Sequence, residues 1–145
     1  MVEFIKELDP EYQLDKYNVK KDLVVFYISS SNKELVCPYC GATSHRVHSF
    51  YDREIQDLPM QNKKVILLVK TRKMFCDNKD CTKRTFSERH KFTDLKGKMT
   101  HRLEKNIIEK STLLSSINAS NILRAENIII SKSSICAMLK KNTHN

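Results

Sequence analysis

Two cysteine pairs, at residues 37–41 (Cys-Pro-Tyr-Cys-Gly) and residues 76–81 (Cys-Asp-Asn-Lys-Asp-Cys), are the most informative stretches of this sequence. Two thiolates separated by two residues can reach the same ion from one tight turn. Gly41 can take a positive φ there while backbone N–H groups point at sulfur. Asp and Asn suit the longer turn of the second pair. Four thiolates form a closed tetrahedral shell, so we predict one structural Zn²⁺ ion, held by Cys37, Cys40, Cys76 and Cys81.

Other roles for these cysteines are open. A thioredoxin-type redox pair would lie in a βαβ pattern, and no such pattern surrounds Cys37. Four thiolates can also hold iron, and the pairs can be unrelated to each other. His45 and His48 follow the first pair closely and could replace a cysteine as ligand, but we interpret them as strand residues because four thiolates already complete the shell. The fifth cysteine, Cys136, is interpreted as a small core residue of a helix.

Strands are predicted on both sides of the metal turns. Leu23–Ile28 and the short stretch Glu34–Val36 are rich in β-branched and aromatic residues. Arg46–Tyr51 is expected to pair with a neighbour until residues 57–59 (Asp-Leu-Pro) end that strand. The longest candidate, Lys63–Met74, leads directly into the second cysteine pair. A ribbon pinned by metal needs little core, and we assign to that core the aromatic residues Phe50, Tyr51, Phe75 and Phe86, with base-stacking platforms as the alternative.

The character of the sequence changes after Asp94, and from Met99 on the apolar spacing is helical. Thr100 is predicted to cap a first helix, with Leu103, Ile107, Ile108 and Leu114 on its apolar stripe. A second helix is predicted at residues 118–126, and a third runs from Ser131 to about Lys141. Two short helices joined by a tight corner fit a helix-turn-helix, in which the last helix enters the major groove. Its first residues here are Lys132, Ser133 and Ser134. An ordinary three-helix cap without a ligand fits the same pattern.

These patterns predict an α+β fold, in which a small zinc-ribbon-like β module is followed by a three-helix, helix-turn-helix-like segment. The expected divisions are a polar N-terminal segment (1–22), a zinc-binding β-ribbon domain (23–92) and a helical domain (93–145). No apolar stretch is long enough to span a bilayer. The first ten residues lack the basic and apolar regions of a signal peptide, so we expect an intracellular protein.

Charge is distributed unevenly along the chain. The net charge of the whole chain is +9. Residues 61–105 carry 14 basic and 5 acidic side chains, whereas residues 1–60 carry 7 basic and 10 acidic ones. A basic block of this kind can neutralise phosphates and release counterions from nucleic acid. A solvated surface on a lysine-rich protein explains the same block, so charge alone does not decide the function.

Four stretches together are similar to the start of a bacterial transposase family, that of the insertion sequence L3 type. They are residues 37–41, residues 46–53 (Arg-Val-His-Ser-Phe-Tyr-Asp-Arg), residues 56–59 (Gln-Asp-Leu-Pro) and residues 72–89. The ordered combination is much more specific than either cysteine pair alone. The resemblance implies a zinc finger followed by a helix-turn-helix, which together recognise the terminal inverted repeats of a mobile element in double-stranded DNA.

Within this resemblance, we expect basic residues of the ribbon to contact phosphates and the third helix, through Lys132, Ser133 and Ser134, to read bases. The expected phosphate contacts are Arg46, Arg53, Lys70, Arg72, Lys73, Lys83, Arg84 and Arg89. Arg53 can instead pair with Asp57. The alternative function is a zinc-dependent oligomerisation domain without specific DNA recognition, since transposases act as oligomers.

Members of this family continue into an RNase H-like catalytic domain, and the present sequence stops at Asn145 without room for one. We therefore expect no catalytic activity, no small-molecule substrate and no membrane partner. The chain is expected to be a truncated, frame-shifted or deliberately cut product. A cytoplasmic, nucleoid-associated location and homo-oligomers follow from the same resemblance.

Overall fold

The computed structural model describes residues 1–113 of the chain. Within this part, two helices and seven strands follow one another along the sequence. They are α1 (Val2–Leu8), β1 (Tyr12–Val19), β2 (Leu23–Ser30), β3 (Leu35–Val36), β4 (Thr43–Ser44), β5 (Val47–Met60), β6 (Lys63–Phe75), β7 (Thr85–Ser87) and α2 (His101–Leu113).

Five of the strands form one sheet, and the remaining two, β3 and β4, form a small antiparallel hairpin. The order across the large sheet is β1-β2-β6-β5, and β7 pairs with the last residues of β6. All neighbours are antiparallel except β2 and β6, which are parallel. The metal turns therefore lie at one end of the sheet, where β6 ends at Phe75.

The long hairpin of β5 and β6 turns at Gln61 and Asn62, whose φ angles are 51° and 59°. Positive φ at both central residues defines the two-residue turn whose twist matches that of the flanking strands. Met60 lies opposite Lys63, and the strands stay paired as far as Val47 and Met74. The hairpin is therefore the longest continuous element of the described residues.

The main hydrophobic core lies on one face of the sheet. Alternate residues of β2 and β6 are buried there, as the two-residue period of a strand requires: Val24, Phe26, Ile28, Val65, Leu67 and Val69. Ile5 of α1 and Phe92 pack into the same cluster. Residues 1–22, predicted as a polar segment, therefore contribute a helix, an edge strand and buried core residues.

The predicted fold class is wrong. Strands are the main secondary structure of the described residues, which form a five-stranded sheet and two helices instead of a small ribbon followed by a three-helix segment. The physical reason is that β1 and β2 join β6 in a larger sheet with its own core, so the ribbon is an appendage of that sheet. The helices predicted at 118–126 and 131–141 lie outside the described residues.

Strand β5 is longer than predicted, because residues 57–59 do not end it. A register shift between Asp57 and Met60 accommodates Pro59, which cannot donate to the ladder. Asp57 is fully buried and pairs with Arg102 of α2, whose Nη2 lies 2.5 Å from Oδ2. The suggested pair between Arg53 and Asp57 is therefore wrong.

Helix α2 begins where the sequence predicts. Thr100 Oγ1 accepts a hydrogen bond from the N–H of Leu103 at 3.3 Å, and it donates to Asp57 Oδ1 at 2.7 Å. Leu103 and Ile107 are fully buried, as expected for the apolar stripe. Among residues 1–113, no helix is both long enough and apolar enough to cross a bilayer.

Candidate metal centre and basic surface

The first cysteine pair lies in the turn between β3 and β4. The N–H of Gly41 donates to the carbonyl of Cys37, and the N–H of Cys37 donates to the carbonyl of Ala42, both at 2.8 Å. Gly41 has a φ of 79°, which an L side chain rarely adopts. The short hairpin thereby holds both thiols on one turn.

The second pair follows β6 and precedes β7. The N–H of Cys76 donates to the carbonyl of Arg84 at 2.8 Å, which closes the loop between the two strands. Asn78 shapes the turn, since its side-chain oxygen accepts from the N–H of Asp80 and its carbonyl accepts from Cys81. Both cysteines are half-buried.

The four sulfurs form one cluster, in which all lie within 4.8 Å of one another. Cys37 and Cys81 are 3.9 Å apart, and Cys40 and Cys76 are 3.5 Å apart. A tetrahedral zinc with Zn–S bonds of about 2.3 Å separates its sulfurs by about 3.8 Å. A disulfide would require about 2 Å. Both the donor set and its dimensions fit one structural zinc ion, and the predicted ligands are the residues that meet.

The thiols of the cluster differ in acidity. The backbone N–H of Ala42 and the side chain of Asn78 donate to Cys40, which lowers the pKa of that thiol to about 6. For Cys76, the N–H of Asn78 lowers the pKa, but desolvation and the neighbouring thiols together raise it to about 12. Crowded thiols of this kind cannot all ionise without a cation, so zinc binding must release protons.

Among residues 1–113, only a small core supports the ribbon. Cys37, Met74 and Phe86 form a buried cluster, against which Leu35 and the thiols of the second pair pack. Ser44 Oγ donates to the carbonyl of Phe75 at 2.5 Å and connects the β3–β4 hairpin to the end of β6. Three buried residues are too few to hold two loops together, so the metal supplies most of the stability of the ribbon.

The metal centre has a counterpart in a known family. Residues 33–81 match a transposase zinc finger. The matching model is described as the zinc-finger of transposase IS204/IS1001/IS1096/IS1165, and the matched range includes all four ligands. The resemblance predicted from the sequence is thereby confirmed for the zinc finger. The helix-turn-helix and the truncation stay predictions. Neither the curated proteins nor the solved structures contain a significant match to this chain.

Three of the eight ribbon residues expected to contact phosphate are engaged within the protein. Arg72 pairs with the buried Glu88 at 2.7 Å and also donates to the carbonyl of Asn32. Arg53 donates to the carbonyls of Asp94 and Gly97, at 3.2 and 2.8 Å. Arg46 pairs with Asp77 on the surface at 2.5 Å. Their contact with DNA stays a prediction, but each has a structural role without it.

The other five have no ion pair with any residue of the range 1–113. They are Lys70, Lys73, Lys83, Arg84 and Arg89, and all except the half-buried Lys73 are exposed. Lys83 Nζ lies 5.7 Å from the ring centroid of Tyr39, and Lys70 Nζ lies 4.5 Å from that of Phe50. Within residues 76–89, Asp77 and Glu88 pair with Arg46 and Arg72, and the remaining charged side chains are four cations and one acid, Asp80.

Two of the four aromatic residues assigned to the ribbon core lie on the surface instead. Phe50 is 55% exposed and Tyr51 is 43% exposed, whereas Phe86 is buried and Phe75 is half-buried. Both exposed residues lie on β5, the last strand on its side of the sheet.

Tyr51, with Tyr39, Leu95, Arg89 and Lys96, lines a cleft beside the first metal turn. Sequence reasoning missed this cleft. The sequence signal for the cleft is Tyr39, an aromatic residue inside the first cysteine turn.

Proposed function

We propose that this chain binds double-stranded DNA at the ends of an insertion sequence, as the recognition part of a transposase. The zinc ribbon holds a basic surface against the phosphates, and the predicted third helix, starting at Lys132, Ser133 and Ser134, reads base edges. One observation carries this proposal: a transposase-type zinc centre lies beside exposed cations that the rest of residues 1–113 leaves without an ion pair.

The positions of the cations near the metal centre support phosphate binding by the ribbon. Lys83, Arg84 and Arg89 follow the second metal turn within a few residues, so zinc fixes the backbone that carries them. A fixed backbone lowers the entropy lost when these side chains meet a phosphate, and each contact releases condensed counterions. If five phosphates are contacted, the logarithm of the affinity should fall with the logarithm of the salt concentration with a slope of about −4.5.

The test is a fluorescence anisotropy titration against a duplex that carries the element's terminal inverted repeat, with a scrambled duplex of equal length as reference. We expect tighter binding to the repeat and a steep salt dependence with both duplexes. Equal binding to both duplexes would show that the chain binds DNA non-specifically and would contradict recognition of the element's ends. Absence of salt-dependent binding to either would remove DNA binding altogether.

A matched pair of double variants locates the surface. Lys83→Ala with Arg84→Ala should weaken binding to both duplexes and reduce the salt slope by about 2, because two phosphate contacts are lost. Lys20→Ala with Lys21→Ala removes the same charge from the exposed turn between β1 and β2, about 35 Å away along the sheet. We expect that control to bind like the unaltered chain, and an equal loss in both variants would mean that only net charge matters.

A second candidate function, oligomerisation through the zinc domain, is favoured by the free edge of β5. From Val47 to Glu54 this strand has no neighbour among the described residues beyond β6, whereas Gln56 is covered by Lys98 and Thr100. Such an edge can pair with a strand of a second copy. Sedimentation equilibrium with and without Phe50→Lys tests this: a dimer that the variant abolishes supports it, and a monomer at all concentrations excludes it.

A further inference from the structure

The cleft beside the first metal turn is about 260 Å³ in volume. The turn contributes Tyr39, β5 contributes Tyr51, and the segment after β7 contributes Arg89, Leu95 and Lys96. Drug-sized ligands occupy roughly 300–1,000 Å³, so a cleft of this size suits one nucleobase better than a longer ligand.

The walls of the cleft are aromatic and cationic. Tyr39 is 55% exposed, Tyr51 43% and Leu95 56%, which is an unusual concentration of uncovered apolar surface. Arg89 and Lys96 make no ion pair or side-chain hydrogen bond within residues 1–113. Among the described lining residues there is no carboxylate. The nearby Asp94 faces His101, whose Nε2 lies 3.0 Å from the carboxylate.

This combination matches a ligand in which a flat aromatic group is joined to a negatively charged group, as the base and the phosphate are in a nucleotide. Exposed aromatic rings bind bases by stacking, and neighbouring cations bind the phosphate. A base inside a duplex has both faces occupied by its neighbours, so only an unpaired base can enter such a cleft. Because Tyr39 stands between two zinc ligands, the metal fixes one wall of the cleft.

We propose that this cleft binds one unpaired nucleotide at the end of the DNA that the basic surface holds. The base packs against Tyr39 and Tyr51, and the phosphate is held by Arg89 and Lys96. This inference rests on the proposed function, since it adds a site for a strand end to a duplex-binding surface. It predicts that the chain distinguishes a frayed or overhanging terminus from a blunt one.

The experiment compares a blunt duplex with the same duplex carrying one unpaired thymidine, each titrated by fluorescence anisotropy. Stacking of one base is expected to favour the overhang by about 5- to 150-fold. Tyr39→Ala with Tyr51→Ala should bring the ratio of the two affinities close to one. The matched control is Tyr17→Ala, which removes a tyrosine that is 54% exposed on β1, and it should keep the ratio.

The outcomes separate this inference from the proposed function. Salt-dependent binding with equal affinity for both duplexes overturns the proposal that the cleft binds a nucleotide, but it agrees with a duplex-binding surface. No binding to either duplex overturns the proposed function, and the cleft inference with it.

Zinc content is measured for each variant. If Tyr39→Ala loses zinc, Tyr51→Ala alone decides, because Tyr51 lies outside the metal turns, and an unchanged ratio in that variant overturns the inference. Displacement of the overhang by an equal concentration of thymidine monophosphate would also overturn it in favour of a small-molecule site.

Discussion

Asp57 is the most deeply buried charged residue in the described part of the chain, with no exposed surface. Arg102 meets it with two hydrogen bonds, Nε to Oδ1 at 2.8 Å and Nη2 to Oδ2 at 2.5 Å, and Thr100 donates a third. The same guanidinium lies over the ring of Phe4, 4.2 Å from its centroid. One ion pair therefore connects α1, β5 and the start of α2.

Removing Arg102 should be far more harmful than removing Arg46, which makes a similar pair on the surface. Both arginines pair with an aspartate and lie over a phenylalanine ring, but Asp77 is 53% exposed and Asp57 is fully buried. We expect Arg102→Ala to lower the free energy of unfolding by about 3–5 kcal/mol, because it leaves a buried charge uncompensated. For Arg46→Ala we expect a much smaller loss, because its pair with Asp77 is exposed to solvent. Urea unfolding measures both, and similar losses would contradict the assigned roles.

His90, like Asp57, is a buried polar residue in a network of side-chain hydrogen bonds. Thr71 Oγ1 gives its proton to the carbonyl of Val69 at 2.9 Å, so it must accept from His90 Nε2, 3.0 Å away. His90 Nδ1 is then unprotonated and accepts from the hydroxyl of Tyr12. Burial lowers the pKa of His90 to about 4 and raises the pKa of Tyr12, so both groups are neutral at pH 7.

This network should make stability depend on pH between about 6.5 and 4. In that window the unfolded chain binds a proton at residue 90 that the folded chain does not, so the free energy of unfolding falls as pH falls. The contribution of His90 is about 3 kcal/mol across the window. Urea unfolding at pH 6.5 and pH 4.5 should show a smaller pH dependence for His90→Gln than for the unaltered chain. Parallel pH profiles would mean that His90 titrates normally.

At the scale of elements, the zinc ribbon and the large sheet have different sources of stability. In the part of the chain that the structure describes, the sheet has ten buried residues in its cluster, whereas the ribbon has three and depends on metal. The two elements share β6, whose first part lies in the sheet core and whose last residues lead to Cys76. Loss of metal should therefore loosen one end of the molecule and leave the other folded.

Cys76→Ser tests this separation. We expect zinc to be lost, and amide hydrogen exchange to accelerate in β3, β4 and β7 while the centres of β2 and β6 stay protected. Cys136→Ser makes the same chemical change at the cysteine outside the four ligands, and it should leave zinc content and the exchange of β3, β4 and β7 unchanged. Loss of protection throughout the sheet would show that ribbon and sheet unfold as one unit.

The hairpin turn of β5 and β6 offers a stabilising substitution. Asn62 takes a φ of 59°, a conformation that costs less for glycine than for a residue with a Cβ. Asn62→Gly should raise the free energy of unfolding by up to about 1 kcal/mol, whereas Asn62→Val should lower it by more than that. Thermal denaturation measures both, and a lower melting temperature for Asn62→Gly would contradict the assigned turn.

Across the whole molecule, the features that could be predicted from the sequence are those that a local sequence pattern determines. The four ligands were recognised because thiolate spacing reflects metal geometry directly. Strand β2 and most of β6 were predicted from β-branched runs, and the start of α2 from the capping residue Thr100. Each of these features depends on residues close together in sequence.

The remaining features depend on partners far apart in sequence. The segment 1–22 looks polar, yet Ile5 and Tyr12 are buried because β1 pairs with β2 and α1 covers the core. No local sequence pattern indicates that Arg72, predicted to contact phosphate, pairs with Glu88. The exposure of Tyr51 follows from the edge position of β5, which sequence alone did not reveal. The cleft formed by Tyr39 and Tyr51 could not be predicted for the same reason.

In the proposed function, one zinc ion, held by four sulfurs from two turns far apart in sequence, organises the surface that meets DNA. X-ray absorption at the zinc edge, together with metal analysis of the purified chain, tests it most directly. The expected result is one zinc per chain, surrounded by four sulfurs at about 2.3 Å. Less than one zinc per chain, or nitrogen and oxygen ligands in place of sulfur, would contradict it.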